Sequence, residues 1–278
     1  GKRRNSLLVD KSHSLSNPAT VQEKTASDAL LSAQGLSKSF GGIRAVNNVS
    51  IDVQAGSITG LIGPNGAGKT TLFNLLSNFI PPDKGEVRFD GEPIQTLRSH
   101  KIAQQGLIRT FQVARVLSRL SVLENMLLGA QKQTGENLFQ VLLKPKRVQR
   151  EEKQQRDRAL LLLESVGLAD KAYEYAGALS GGQRKLLELA RAMMTHPKLI
   201  LLDEPAAGVN PTLINQISDH VLRWNQEGIT FLIIEHNMDV IMSLCQEVWV
   251  LAEGTNLAHG TPEEIQGNPD VLEAYLGQ

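Results

Sequence analysis

Gly63-Pro64-Asn65-Gly66-Ala67-Gly68-Lys69-Thr70, followed by Thr71, fills every position of the phosphate-loop pattern G-x-x-x-x-G-K-[ST]. A short β-type run over residues 57–62 leads into it, and an apolar helical run over residues 70–77 leads out. Strand, glycine-rich loop and helix in that order suit a phosphate. The glycines let the backbone curl so that successive amide N–H groups face phosphate oxygens, and the helix N-terminus adds partial positive charge. Lys69 is then placed to reach the β- and γ-phosphates of a nucleoside triphosphate, and the Thr70 hydroxyl to bind Mg2+. The competing reading is a glycine-rich turn that binds nothing, but no position of the pattern is missing.

Working outward, residues 46–53 read as a further strand before the loop. Residues 199–202 and 230–234 are compact apolar runs of strand length, separated by a helical pattern over 211–226. Strands alternating with helices imply a parallel sheet covered on both faces. Residues 112–179 turn helical instead, with segments at 122–131 and a charged, amphipathic one at 150–166. This predicts a helical lobe inserted into an α/β core. No internal repeat is visible. At the end of the run 199–202 stand Asp203 and Glu204. Adjacent acids are commonly solvated turn residues, but these follow four apolar residues downstream of a phosphate loop. Asp203 is therefore read as the magnesium carboxylate and Glu204 as the general base facing an attacking water.

Bulk properties bound the rest. The chain has 278 residues, room for one large domain or a core with a smaller lobe. Lysine plus arginine and aspartate plus glutamate both number 29, so net charge offers no general affinity for nucleic acid or anionic lipid. Cys245, the only cysteine, can form neither an internal disulfide nor a multi-cysteine zinc site, and its apolar surroundings mark it as packing. No apolar run approaches the roughly 18–20 residues of a membrane-spanning helix. Residues 1–30 are polar and read as a disordered leader, and lack the apolar middle of a secretory signal.

The segment Leu179-Ser180-Gly181-Gly182-Gln183 is a second glycine-rich start of a helix, predicted over residues 183–194. Alone it could be an ordinary helix cap. Beside the phosphate loop it resembles the signature motif of ABC ATPases, and the chain from about residue 31 onward is similar to an ABC nucleotide-binding domain with its motifs in order. The resemblance implies an α/β fold: a P-loop NTPase (RecA-like) core with a parallel sheet, an N-terminal antiparallel β subdomain, and a helical subdomain inserted at about 113–178. It also implies that the phosphate loop of one subunit and the signature of another close on the same ATP. Ser180, Gly181, Gly182 and Gln183 would then meet the nucleotide held by a partner.

Other positions follow from the same resemblance. Phe40 falls where the family sets an aromatic ring against adenine, with a core phenylalanine as the rival reading. Gln112, in Arg109-Thr110-Phe111-Gln112, matches the glutamine that senses magnesium and water and links the core to the lobe. His236 matches the switch histidine at the γ-phosphate, against the alternative of a strand cap. Asn210 departs from the family's frequent aspartate at this point, keeping hydrogen-bonding capacity but no charge.

Together with the Arg109–Gln112 segment, Gly260-Thr261-Pro262 and Tyr275-Leu276-Gly277, this is similar to subunits of bacterial branched-chain and neutral amino-acid importers. Urea importers and a lipopolysaccharide-export ATPase share much of the pattern. The resemblance implies ATP and Mg2+ as ligands and permease subunits, a second ATP-binding subunit and, indirectly, a solute-binding protein as partners. No nucleic acid is implied. It places the protein peripherally on the cytoplasmic face of the inner membrane. A metabolic P-loop kinase would share Lys69 and Asp203 but has no use for residues 179–183. DNA-repair ATPases of the superfamily need coiled-coil arms or zinc-binding cysteines, which this sequence lacks.

Overall fold

The computed structural model describes residues 29–110, 116–131 and 145–276. Of the expected leader over residues 1–30, residues 1–28 lie outside the described residues, as does Gln112, while Ala29 and Leu30 already belong to a strand. The chain opens with β1 (Ala29–Phe40) and β2 (Ile43–Gln54), then β3 (Ile58–Ile62) runs through the phosphate loop into α1 (Lys69–Leu76). Next come β4 (Lys84–Phe89), β5 (Glu92–Pro93), α2 (Ser99–Gln105) and β6 (Leu107–Thr110). Three helices follow among the described residues: α3 (Val122–Gln131), α4 (Pro145–Ser165) and α5 (Gly181–Met193). The C-terminal part comprises β7 (Leu199–Asp203), α6 (Pro211–Gln226), β8 (Thr230–Ile234) and α7 (Met238–Leu244). It closes with β9 (Glu247–Ala252), β10 (Thr255–Gly260), α8 (Pro262–Gln266) and α9 (Pro269–Leu276).

Two sheets result. One is antiparallel, in the order β2-β1-β4-β5; the other runs β10-β9-β3-β8-β7-β6, parallel throughout except for β10, which pairs antiparallel at its edge. The central strands β3 and β8 are buried at every residue, as continuous apolar runs covered on both faces must be. Side chains alternate between the faces with the period of a strand. Ile200, Leu202, Phe231 and Ile233 join a core with α3, α4, α5 and α6 on one side. Leu199, Leu201, Leu232 and Ile234 join α1, α2 and the antiparallel sheet on the other. Each such buried apolar side chain contributes about 1.5–3 kcal/mol.

Helix starts follow local chemistry. Asn210 accepts the Leu213 amide proton at 2.9 Å and Pro211 occupies the first turn of α6, where its missing N–H costs nothing. The charged helix α4 begins at Pro145, five residues before the expected start at 150, for the same reason. Between β6 and β7 the described elements are helices and two short 3-10 turns (Ala169–Lys171 and Ala176–Ala178).

Candidate functional site

Three neighbouring parallel strands end at one edge of the larger sheet. Leu61 of β3 pairs with Ile234 of β8, and Ile234 pairs with Asp203 of β7, so the three strands release their loops at the same level. Ligands of open α/β sheets bind outside these carboxyl ends. The three loops carry the phosphate loop, Asp203 with Glu204, and His236.

The phosphate loop is fixed from behind. Gly63 lies so close to β9 that a Cβ there would meet the Leu251 carbonyl oxygen at 2.3 Å, and Gly68 (φ +99°) would meet that of Ala45 at 2.4 Å. Only glycine permits both approaches. The Gly254 amide donates to the Ala67 carbonyl (3.0 Å), and the Asn47 amide to that of Gly254 (2.7 Å), tying the loop to the β9–β10 turn and to β2. Lys69 Nζ lies across the loop and donates to the carbonyls of Gly63 (2.7 Å) and Pro64 (2.9 Å). Burial lowers the Lys69 pKa, and the nearby Glu204 carboxylate works against that shift. Pro64 is buried, Asn65, Gly66 and Thr70 are exposed, Thr71 is half-buried, and the first turn of α1 carries no acidic side chain.

Asp203 Oδ2 accepts a hydrogen bond from Arg109 Nη2 at 2.9 Å, with both side chains largely buried. Arg109 Nη1 also donates to Asn74 Oδ1 (2.7 Å) and Ser77 Oγ (3.2 Å), and its guanidinium lies over the Phe73 ring. One arginine thus ties β6 and β7 to α1. Glu204 has left-handed backbone (φ +51°), a conformation that costs a non-glycine residue about 1–3 kcal/mol and clusters at functional sites. Its Oε1 stands 2.8 Å from His236 Nε2, and both side chains are partly exposed. The two residues singled out from separate stretches of sequence are thereby neighbours.

Between them sits a carboxylate that sequence reading left without a role. Glu235 is 3% exposed; its Oε1 accepts the Ala206 amide proton (2.6 Å), and its Oε2 accepts those of His236 (3.1 Å) and Asn237 (3.3 Å). The signal available was an acid continuing an apolar strand with no polar residue between. Arg109 has no local signal of its own, since its ion pair depends on the pairing of β6 with β7, which no local pattern encodes.

The signature segment opens α5. Ser180 Oγ accepts the Gln183 amide proton (3.2 Å) and Gln183 Oε1 accepts that of Ser180 (2.9 Å), a reciprocal capping box. The cap reading and the ligand reading therefore describe the same residues. Ser180 and Gly181 are exposed, nothing lies within 4 Å of a Cβ built on Gly181, and Gly182 packs against Leu213 of α6. Phe40, at the tip of the β1–β2 hairpin, is 49% exposed with Lys38 Nζ 5.7 Å from its ring centre. It is not a core phenylalanine. Cys245 is buried, as its apolar setting implied.

The family model described as ABC transporter matches residues 46–207, more than half of the chain. A second, Branched-chain amino acid ATP-binding cassette transporter, matches residues 256–278. The high-affinity branched-chain amino acid transport ATP-binding protein BraF of Pseudomonas aeruginosa is 42% identical over 250 residues, covering 90% of this chain and 98% of its own. LivG of Escherichia coli K12, of the same description, is 42% identical over 253 residues, covering 91% and 99%. Among solved structures, a nucleotide-free ATP-binding cassette from an ABC transporter superposes with a TM-score of 0.77 at 38% identity, covering 90% of this chain and all of that one. The ADP conformation of the cassette MJ1267 gives 0.77 and 38%, covering 90% and 99%. Sequence, fold and site agree that the chain belongs to the ABC transporter family, as an ATP-hydrolysing, ATP-binding subunit.

Proposed function

We propose that this subunit hydrolyses ATP at an interface shared with a second ATP-binding subunit and so drives uptake of branched-chain or neutral amino acids through permease subunits. The observation that carries the catalytic part is the alignment of Lys69, Glu204 and His236 at the ends of three adjacent strands, with Glu204 and His236 2.8 Å apart. The cargo rests on the relatives, which are named for branched-chain amino acid transport, and on the C-terminal family match. Urea import and lipopolysaccharide export are the alternative cargoes.

The residues fit a nucleoside triphosphate. The loop amides of residues 63–71 other than Pro64, which has no N–H, and Lys69 receive the β- and γ-phosphates, and Phe40, exposed at a hairpin tip, offers its ring to adenine. Mg2+, held by Thr70, Asp203 and Gln112, would neutralise charge building on the phosphate oxygens. Glu204 accepts the proton of the attacking water, and His236, whose ring can donate to the γ-phosphate, holds Glu204 in register. The Arg109 pair fixes the other acid of the strand end, so that Asp203 and Glu204 take separate tasks. Ser180, Gly181, Gly182 and Gln183 face the nucleotide of the partner subunit. In this reading residues 31–278 form the nucleotide-binding domain, with 113–178 as the lobe that transmits opening and closing to the permease.

Among the described residues no helix is long and apolar enough to cross a membrane. Peripheral attachment at the cytoplasmic face, with a solute-binding protein feeding the permease from the other side, completes the proposal. The test is Glu204→Gln in the assembled transporter. ATP affinity is retained and turnover falls about 100-fold or more, as for loss of a general base. Near-normal hydrolysis removes Glu204 from that role.

A further inference from the structure

The loops that hold Glu204 and His236 are joined by more than the contact between those two side chains. Glu235 lies at the end of β8 with both carboxylate oxygens engaged by backbone amides: Ala206 on the loop after β7, His236 and Asn237 on its own loop. A buried carboxylate is tolerated only where such donors compensate it, so its presence fixes the two loops against each other. On the far side, Lys185 of α5 reaches the same loop: its Nζ donates to the carbonyls of Ala207 (2.5 Å) and Pro205 (3.2 Å). The 205–207 backbone is therefore gripped at its carbonyls by the helix that Ser180 opens and at its Ala206 amide by Glu235.

We propose that Glu235 and Lys185 form a positioning clamp, which holds the Glu204 loop against the His236 loop and links both to the helix that presents Ser180 to the partner's nucleotide. This deepens the function proposed above and rests on the roles given there to Glu204 and His236. Neither clamp residue touches the reacting atoms. Glu235 sets the spacing at which Glu204 and His236 meet. Lys185 makes that spacing depend on where the signature helix stands. Burial lowers the Lys185 pKa, and Glu235, Glu188 and Glu204 act against that shift, in keeping with an ammonium group set among these carboxylates.

The experiment uses the intact chain assembled with its permease and partner ATPase, with kcat expressed per site competent to bind ATP. Glu235→Gln keeps the shape but replaces one acceptor oxygen with an N–H2 group. Its kcat falls about 10- to 100-fold, the loss of one or two charge-assisted bonds, while KM for ATP stays within about twofold. A merely structural role would change the number of competent sites and leave the rate per site alone. The double variant Glu204→Gln/Glu235→Gln is no slower than Glu204→Gln, because the clamp acts through Glu204. Lys185→Met leaves the Glu235 bonds in place, shows a smaller fall with the same split, and decides the matter if Glu235→Gln does not fold. A wild-type rate per site in either single variant, or losses that simply add in the double variant, overturns the clamp and leaves the ATPase reading intact. Full activity of Glu204→Gln overturns that reading and the clamp with it.

Discussion

Two glycines of the phosphate loop differ in one physical respect, and the difference can be measured. Gly66 and Gly68 both have left-handed backbone (φ +75° and +99°). A Cβ on Gly66 meets nothing within 4 Å, whereas one on Gly68 lies 2.4 Å from the backbone oxygen of Ala45. Alanine at either position therefore suffers the left-handed penalty of about 1–2 kcal/mol. At Gly68 it must also displace β2 or the loop, a steric cost of about 1–3 kcal/mol typical of overpacking. For a domain of this size the extra cost lowers the melting temperature by about 2–12 °C more in Gly68→Ala than in Gly66→Ala. Thermal unfolding of the two variants, followed by circular dichroism at one protein concentration without nucleotide, measures the difference directly. Equal melting temperatures refute the claim that β2 backs the loop at this distance.

Two other outcomes follow from buried groups. Arg109→Met leaves Asp203 without its cation and costs about 3 kcal/mol of stability, read by denaturant unfolding; a loss under about 1 kcal/mol contradicts the view that this pair joins β6, β7 and α1. Burial, reinforced by Glu235, pushes the Cys245 thiol up to about 12 from 9.0. The folded chain thus keeps a proton that the unfolded chain releases above pH 9, and the stability tied to this group, complete below pH 9, is lost as pH rises towards 12. Cys245→Ser removes that loss between pH 9 and 10.5, and at pH 8 a thiol reagent labels Cys245 only when the chain unfolds.

Elements whose signal is local were legible in the sequence. Strand β8 and helix α6 begin and end where their patterns do, because five buried apolar residues and a capped, proline-led amphipathic run carry their own boundaries. Strand β1 gave no such signal. Its pairing with β2 shifts register between Ala33 and Leu36, between Leu36 and Lys38, and between Lys38 and Ser39, and Gly35 sits in the middle, so the period-two alternation is broken. The antiparallel sheet was anticipated through family resemblance instead. At the site, Lys69, Asp203 and Glu204 are legible because each stands at a strand end or a helix start at a recognisable spacing, whereas His236 follows from the family resemblance. The roles of Glu235, Arg109 and Lys185 are not legible in the sequence, because each acts through a partner between 20 and 94 residues away. Such pairings are set by sheet order, which hydrophobic periodicity does not contain.

The proposed mechanism requires a nucleotide completed from two subunits. Its most direct test is a cryo-EM map of the assembled transporter carrying Glu204→Gln and trapped with ATP. The predicted result is a triphosphate in the 63–71 loop of one ATP-binding subunit and, across the interface, Ser180 at hydrogen-bonding distance, about 3 Å, from the γ-phosphate held by the other. A closed, ATP-filled assembly in which residues 180–183 approach no triphosphate contradicts it.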